Sequence, residues 1–320
     1  MHDDRRLVEE RITRQLAERV LPLVHPERRP LTVEAGPSLD VLVPFSVGDR
    51  WGAPWATTWF RFTGAVPASW AGRRVEALVD LGFRLDAPGF QCEGLVRDAE
   101  GQPVQGIHPR RVAVPVTDRA GPLTLVVEAA SNPAFPQFRS SPLGSAATAG
   151  DALLYRLERA ELVVVVDEAE ALVHDLDVLD GLMRTLAPAD PRRARLRRAI
   201  VEALDAATAD HPDVDAARAA VAPALATAAA AGTHRVVATG HAHIDTAWLW
   251  PLRETVRKCA ARSPRRLPCS MRIRHTGSPA RRRSTTRGSS STSRSCSSAS
   301  PSTSPLAGGC PSAACGSRPT

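Results

Sequence analysis

The spacing of apolar residues divides the chain into three regimes. In residues 5–21, Val8, Ile12, Leu16 and Val20 recur at every fourth position. That is one apolar stripe on a helix, and the pattern predicts a helix ended by Pro22. From residue 30 to 165 the period shortens. Thr57-Thr58-Trp59-Phe60-Arg61-Phe62, Val75-Glu76-Ala77-Leu78-Val79, Val112-Ala113-Val114-Pro115-Val116 and Leu123-Thr124-Leu125-Val126-Val127 are short runs rich in β-formers. Gly, Pro and Asp separate them, as strands in a sheet protein require. Asp98-Ala99-Glu100-Gly101 reads as a turn between two of these runs. Residues 167–231 return to helical composition, dominated by Ala, Leu, Arg and Glu and cut by Pro188, Pro191 and Pro212. Asp190-Pro191 reads as an N-cap followed by proline at the first helical position. No heptad pattern here is long enough for a coiled coil.

A fourth stretch, 234–258, carries the chemistry. Val236-Val237-Ala238 reads as a short buried strand that ends in Gly240. His241, His243 and Asp245 follow at once, then Trp248, Trp250, Pro251 and a helix-like segment. Polar ligands at the carboxyl end of a strand are how α/β enzymes build sites. His243 and Asp245 stand at i and i+2, so on an extended segment they point the same way. An imidazole and a carboxylate converging there suit Zn²⁺, which takes nitrogen and oxygen donors at roughly 2.0–2.2 Å. Two ligands do not close a site, and others must come from elsewhere. His241 has the same parity and is either a ligand or the residue that orients one. The plainer alternative has one histidine capping the strand and Asp245 capping the next segment.

The predicted fold class is mixed α and β, multidomain. A helix occupies 1–30, a jelly-roll-like β-sandwich 31–166 and a helical connector 167–232. Residues 233–262 supply the first strand of an incomplete (β/α) barrel, and the tail 263–320 is expected to be disordered. Trp51, Trp55, Trp59 and Trp70 cluster in the sandwich. They are either core and edge packing or a platform on which sugar rings stack.

Charge sharpens the view of the tail. The formal net charge is +7, but ten arginines stand in residues 263–320, which hold no Asp or Glu, so residues 1–262 carry −3. The basic excess therefore belongs to the tail alone. That segment also lacks Phe, Trp and Tyr for base stacking, which argues against a nucleic-acid partner. Cys92 and Cys259 lie in the body, and Cys269, Cys296, Cys310 and Cys315 in the tail. With a charged N-terminus and no apolar run of membrane-spanning length, they do not read as a disulfide framework, no membrane is implied, and a cytoplasmic protein is expected. Lys258 is the only lysine.

GHAHIDTAWLWPLRETVRKCA resembles the start of the catalytic domain of glycoside hydrolase family 38 α-mannosidases, in their cytosolic/vacuolar-type branch. WGAPWATTWFRFTGAVP, CEGLVRDAEGQPVQGIHPRR and VVEAASNPAF are similar to that branch's N-terminal β-domain. The resemblance covers residues 1–262. It implies a retaining glycosidase acting on terminal α-mannosides of oligosaccharides with one Zn²⁺, and an assembly that is often oligomeric. It implies that His243 and Asp245 are zinc ligands, that Trp248 packs against the sugar, and that His241 supports them. The family's nucleophile and acid/base lie downstream of Arg262, so this chain supplies no catalytic carboxylate and is expected to be an inactive fragment. Two other classes stay open at this stage. One is a metal-dependent amidohydrolase with His241 and His243 as the ligands, and the other is a carbohydrate-binding module without catalysis.

The tail departs from the family. Reading it one base out of frame, with allowed synonymous codons, permits segments like the family's ACSQAQQ strand and its GGMWVE-x-D segment, in order. A frameshift near Ala260–Ser263 is therefore expected, with residues 263–320 translated out of frame.

Overall fold

The computed structural model describes residues 5–85, 91–116, 120–133, 150–208, 211–226, 237 and 250–262. The tail predicted to be disordered, 263–320, lies outside them. Helix α1 (Arg5–Gln15) runs into one π-helical turn (Leu16–Val20) and a short helix α2 (Leu21–Val24). The chain thus stays helical past Pro22. The Leu21 N–H bonds the Leu16 carbonyl, an i→i−5 contact that re-routes the backbone ladder just before the proline. Pro22 then falls in the first turn of a new helix, where its missing N–H costs nothing.

Among the described residues twelve strands follow: β1 (Arg28–Pro30), β2 (Thr32–Ser38), β3 (Val41–Phe45), β4 (Arg50–Trp51), β5 (Thr57–Val66), β6 (Val75–Asp80), β7 (Glu93–Arg97), β8 (Pro103–Ile107), β9 (Ala113–Val116), β10 (Gly121–Ala130), β11 (Tyr155–Arg156) and β12 (Arg159–Val164). They pair antiparallel into a four-stranded sheet, β1-β12-β6-β9, and a six-stranded sheet, β3-β2-β5-β10-β7-β8, with a small β11-β4 pair. Asp98 makes the turn expected between β7 and β8: its side chain accepts from the N–H of Gln102 at 2.7 Å, and Gly101 takes φ +76°.

Period-2 alternation sorts each strand between two faces. Phe60 and Phe62 of β5 point between the sheets, opposite Leu162 and Val164 of β12 and Ala77 and Val79 of β6. Trp51 joins this core, with its ring edge on Phe60 at 5.3 Å and its Nε1–H donated to the Leu81 carbonyl at 2.9 Å. Trp70 is equally buried and donates to Glu27. Both are packing residues. Strand β6 is buried along almost its whole length, because Leu78 faces outward onto Val24 and Ala169. Helices therefore cover the outer face of the four-stranded sheet.

The cover comes from α2 and from α3 (Asp167–Thr185), with Val214 at the start of α5 (Val214–Ala226) beside them, while α4 (Pro191–Ala206) packs on α3 and α5. Asp190 caps α4, accepting from the Arg192 N–H at 2.7 Å, with Pro191 as the first helical residue. Ile12 and Val20 from the N-terminal segment share one apolar core with Leu172, Leu176, Ile200 and Val221. The N-terminal helix and the connector, far apart in sequence, thus form one helical module. The last described helix, α6 (Leu252–Arg262), lies against the outer face of the six-stranded sheet. Of the strand expected over Val236–Ala238, only Val237 is described, and there the expectation is corrected. Val237 is in no regular element and is 78% exposed.

Candidate functional site

His241, His243, Asp245 and Trp248 lie outside the described residues. The structure places none of them, and among the described residues no group of three His, Cys, Asp or Glu could hold a metal ion. What it does show is the element that follows them directly, from Trp250 to the end of α6.

Helix α6 is an inverted amphipathic helix. Its buried residues are Glu254 (1% exposed), Thr255, Arg257 (6%) and Lys258 (8%). Its apolar residues Leu252 (58%) and Val256 (66%), with Cys259, face outward at helical spacing. Ordinary surface helices bury the apolar stripe. This one turns its charges inward because the sheet beneath it is charged.

The register explains the seat. On β10, Glu128 stands opposite Trp59 of β5 and Leu95 of β7, so its side chain leaves the sheet on the outer face. Arg257 donates to Glu128 at 2.9 Å and to Thr57 Oγ1 at 2.9 Å, and it also bonds Glu254. Arg97, from β7, holds the other Glu128 oxygen at 2.6 Å and lies over the Trp59 ring at 5.8 Å. Lys258 reaches Glu93 at 2.6 Å and stands 4.5 Å from the centre of the Trp250 ring, a cation–π contact. Trp250 Nε1 donates to Thr255 Oγ1 at 3.0 Å. At the near end, Arg253 donates to the carbonyl of Trp55, a residue held at φ +56°. That left-handed conformation is a genuine outlier for a bulky side chain. The Trp55 N–H donated to the Ser131 carbonyl at 3.0 Å holds it there. At the far end α6 comes close enough that a Cβ on Gly106 would stand 3.0 Å from that of Ala261.

The electrostatics differ across the seat. Burial pushes the Glu128 carboxyl up, but the hydrogen bond from Arg97 and the charge of Arg257 outweigh it and hold the group below the usual range. Burial dominates at Glu254, which is pushed up to about 7 despite Arg257 and Lys258, with Glu93 adding to the rise. Glu254 Oε1 and Arg257 Nε find no partner among the described residues.

The sign of the pH effect follows. The folded value of Glu254 lies above its unfolded value of 4.5, so protonation favours the docked helix. Its contribution is whole near pH 4.5 and is lost as pH rises to about 7, with a ceiling of about 3 kcal/mol from the size of the shift. Glu128 acts oppositely, but only below its ordinary carboxylate range. Hydrogen exchange of peptide 250–262 is therefore expected to be slower at pH 5.5 than at pH 7.5, after correction for intrinsic rates. The pH term should vanish in E254Q.

A family model described as an α-mannosidase jelly roll domain matches residues 21–163, which span the sandwich from α2 to β12. α-Mannosidase 2C1 of Homo sapiens is 36% identical over 231 residues, 68% of this chain. The chain belongs to the α-mannosidase family. α-Mannosidase 2C1 of Mus musculus is 33% identical over 227 residues, again 68% of this chain. The chain spans 20% of the length of each of these relatives. Among solved structures, a β-glucuronidase of Ruminococcus gnavus covers 43% of this chain and 27% of its own at 11% identity, with a TM-score of 0.26, too slight a likeness to argue from.

Within this chain, the sequence pointed to the histidines, Asp245 and Trp248 and not to Glu93, Glu128, Glu254 and Arg257. The signal available was the inverted pattern of LRETVRKCAAR, with charges at 254, 257 and 258 on one face and apolar residues at 252 and 256 on another. No described helix is long and apolar enough to cross a membrane.

Proposed function

We propose that this chain is the N-terminal part of a zinc-dependent retaining α-mannosidase of the cytosolic/vacuolar-type branch of family 38, acting in the cytoplasm on terminal α-mannosides of oligosaccharides. The observation that carries the reading is an order of parts. An α-mannosidase jelly roll domain, 21–163, is followed in one chain by H-x-D-x-x-W at 243–248. His243 and Asp245 ligate the metal, Trp248 packs against the sugar ring, and His241 orients a ligand. Nitrogen and carboxylate oxygen donors are those Zn²⁺ takes, so the donor set fits. The bound ion would polarise sugar hydroxyls and stabilise charge as the glycosidic bond breaks. A retaining glycosidase also needs two carboxylates flanking that bond. In this reading both belong to the part of the family length that this chain does not span, and residues 263–320 are its out-of-frame translation.

The test uses the chain as it stands. Incubated with zinc and p-nitrophenyl α-mannoside, it is expected to release no nitrophenol above background. A chain whose DNA is corrected by one base at codons 258–265, and extended in the new frame, is expected to hydrolyse it. Measurable turnover by the 320-residue chain would sink the fragment reading, and an early stop in the corrected frame would sink the frameshift.

A further inference from the structure

We propose that a cleft between the helical module and the sandwich binds a phosphate monoester. Its acid oxygens lie on Arg28 and Arg159, its P–OH on His25, and its organic part against the apolar wall of α2 and α3. The inference stands on described residues alone and is independent of the metal reading.

The cleft opens where α2 and α3 meet the outer face of the four-stranded sheet, and its volume is about 450 Å³. Pockets that hold small ligands run from roughly 300 to 1,000 Å³. Strand register supplies the basic side. Arg28 stands opposite Val163, and Arg159 and Glu161 share the parity of Val163, so all leave the sheet on one face. The helices supply the apolar side, with Leu21, Pro22 and Val24 from α2 and Val173 from α3. Ala17 of the π-helical turn lines the cleft too, and such turns recur at functional sites.

The polar groups here have capacity left over. Arg28 gives Nε to the His25 carbonyl at 3.2 Å and Nη1 to Glu161 at 3.3 Å. Arg159 gives Nε to the same Glu161 oxygen at 2.6 Å. One carboxylate thus serves two guanidiniums. Among the described residues nothing takes Arg28 Nη2 or the terminal nitrogens of Arg159. Both side chains are within reach of a ligand, at 42% and 37% exposed. The neighbouring carboxylates Glu76 and Glu170 are already held by Arg74, each at 2.6 Å.

His25 supplies the complementary group. Its Nδ1 is buried and finds no partner among the described residues. Burial, then the charges of Arg28 and Arg159, hold the imidazole below its ordinary range, against the opposing pull of the Val164 backbone and Glu76. Val164 favours a proton on the ring, and because Nδ1 has no partner that proton sits on Nε2, which leaves Nδ1 an acceptor. The ligand must therefore be anionic for the arginines and carry a hydroxyl for Nδ1. The monoanion of a phosphate monoester offers both. The apolar wall selects an ester with an organic body over inorganic phosphate.

Calorimetric titration of the 320-residue chain with phenyl phosphate tests this at pH 6.5, where roughly a quarter of the ester is monoanion. One site is expected, about tenfold or more tighter than inorganic phosphate, from burial of the ring. R159M should weaken it about tenfold or more, the scale of a lost hydrogen bond to a charged group. Phenyl sulfate has the same shape but no proton to give, and should bind about tenfold more weakly. R198Q, on the exposed surface of α4, should change nothing. A17W fills the cleft from an exposed position that the fold tolerates, so it should abolish binding, and it serves if R159M unfolds. Equal binding of phenyl sulfate and phenyl phosphate overturns the monoester assignment. Failure of phenyl phosphate to bind, binding that survives A17W, or equal losses in R198Q and R159M overturn the site itself.

Discussion

Arg257→Ala is expected to release α6 from the sandwich. The guanidinium is 6% exposed and serves three acceptors, Glu128, Glu254 and Thr57. Glu128 survives its removal, because Arg97 stays at 2.6 Å. Glu254 does not, because its nearest counter-charge is gone and burial already raises its pKa to about 7. Breaking a buried pair by deleting one partner costs about 3–5 kcal/mol, since the other charge is left without compensation. The loss should appear as faster exchange throughout 250–262 and a red shift of Trp250 emission, with no change in urea unfolding of the sandwich. The converse substitution tests the cause. E254L/R257M removes both charges and keeps the volume, and such replacements are often neutral. It should dock nearly as well as wild type. If R257A costs less than about 1 kcal/mol, the seat is a surface ion-pair patch of the kind that contributes little.

The contrast between α6 and the sandwich shows what a sequence displays. Strands β5, β9 and β10 were legible because each is a short run of β-formers that buries one parity of its residues, and β6, buried on both faces, because its apolar run is short and bounded by turn residues. The turn at Asp98 and the cap at Asp190 were legible because their chemistry is complete within five residues. Pro22 misled because its effect depends on the backbone before it. A π turn at 16–20 absorbs the proline, and nothing in the side chains announces it. The shared core of α1 with α3, α4 and α5 was illegible for another reason: an apolar stripe says that a helix packs, not on what. The seat of α6 was hidden most deeply. Its signal is charge facing inward, which in isolation reads as a solvated face, and its acceptors sit on strands more than a hundred residues away. Leu252 and Val256 stand exposed on the opposite face of the helix. The proposed ligands rest on the contiguous H-x-D-x-x-W and its family resemblance, and they lie outside the described residues.

Asp245→Ala carries the largest expected effect on function, and it separates the two metal readings. In the frame-corrected chain, the variant should lose zinc and lose mannoside turnover by about a thousandfold or more. A metal contributes several kcal/mol of charge stabilisation, and each 1.36 kcal/mol is tenfold in rate. His243→Ala should behave alike. His241→Ala should differ: a residue that only orients a ligand typically costs 10–100-fold in metal affinity, so zinc should weaken and not vanish. If His241 were instead a ligand, as in an H-x-H amidohydrolase site, the order would invert. H241A would empty the site and D245A would retain zinc. Zinc content by atomic absorption, measured beside p-nitrophenyl α-mannoside turnover on the same preparations, reads both outcomes. The sandwich supplies the control. Asp245 is seven residues before the first turn of α6, so a D245A chain should keep wild-type exchange in 250–262 and wild-type unfolding. Loss of zinc with the seat intact would assign the defect to the ligand itself. Loss of both would mean that the segment and its anchor fold as one.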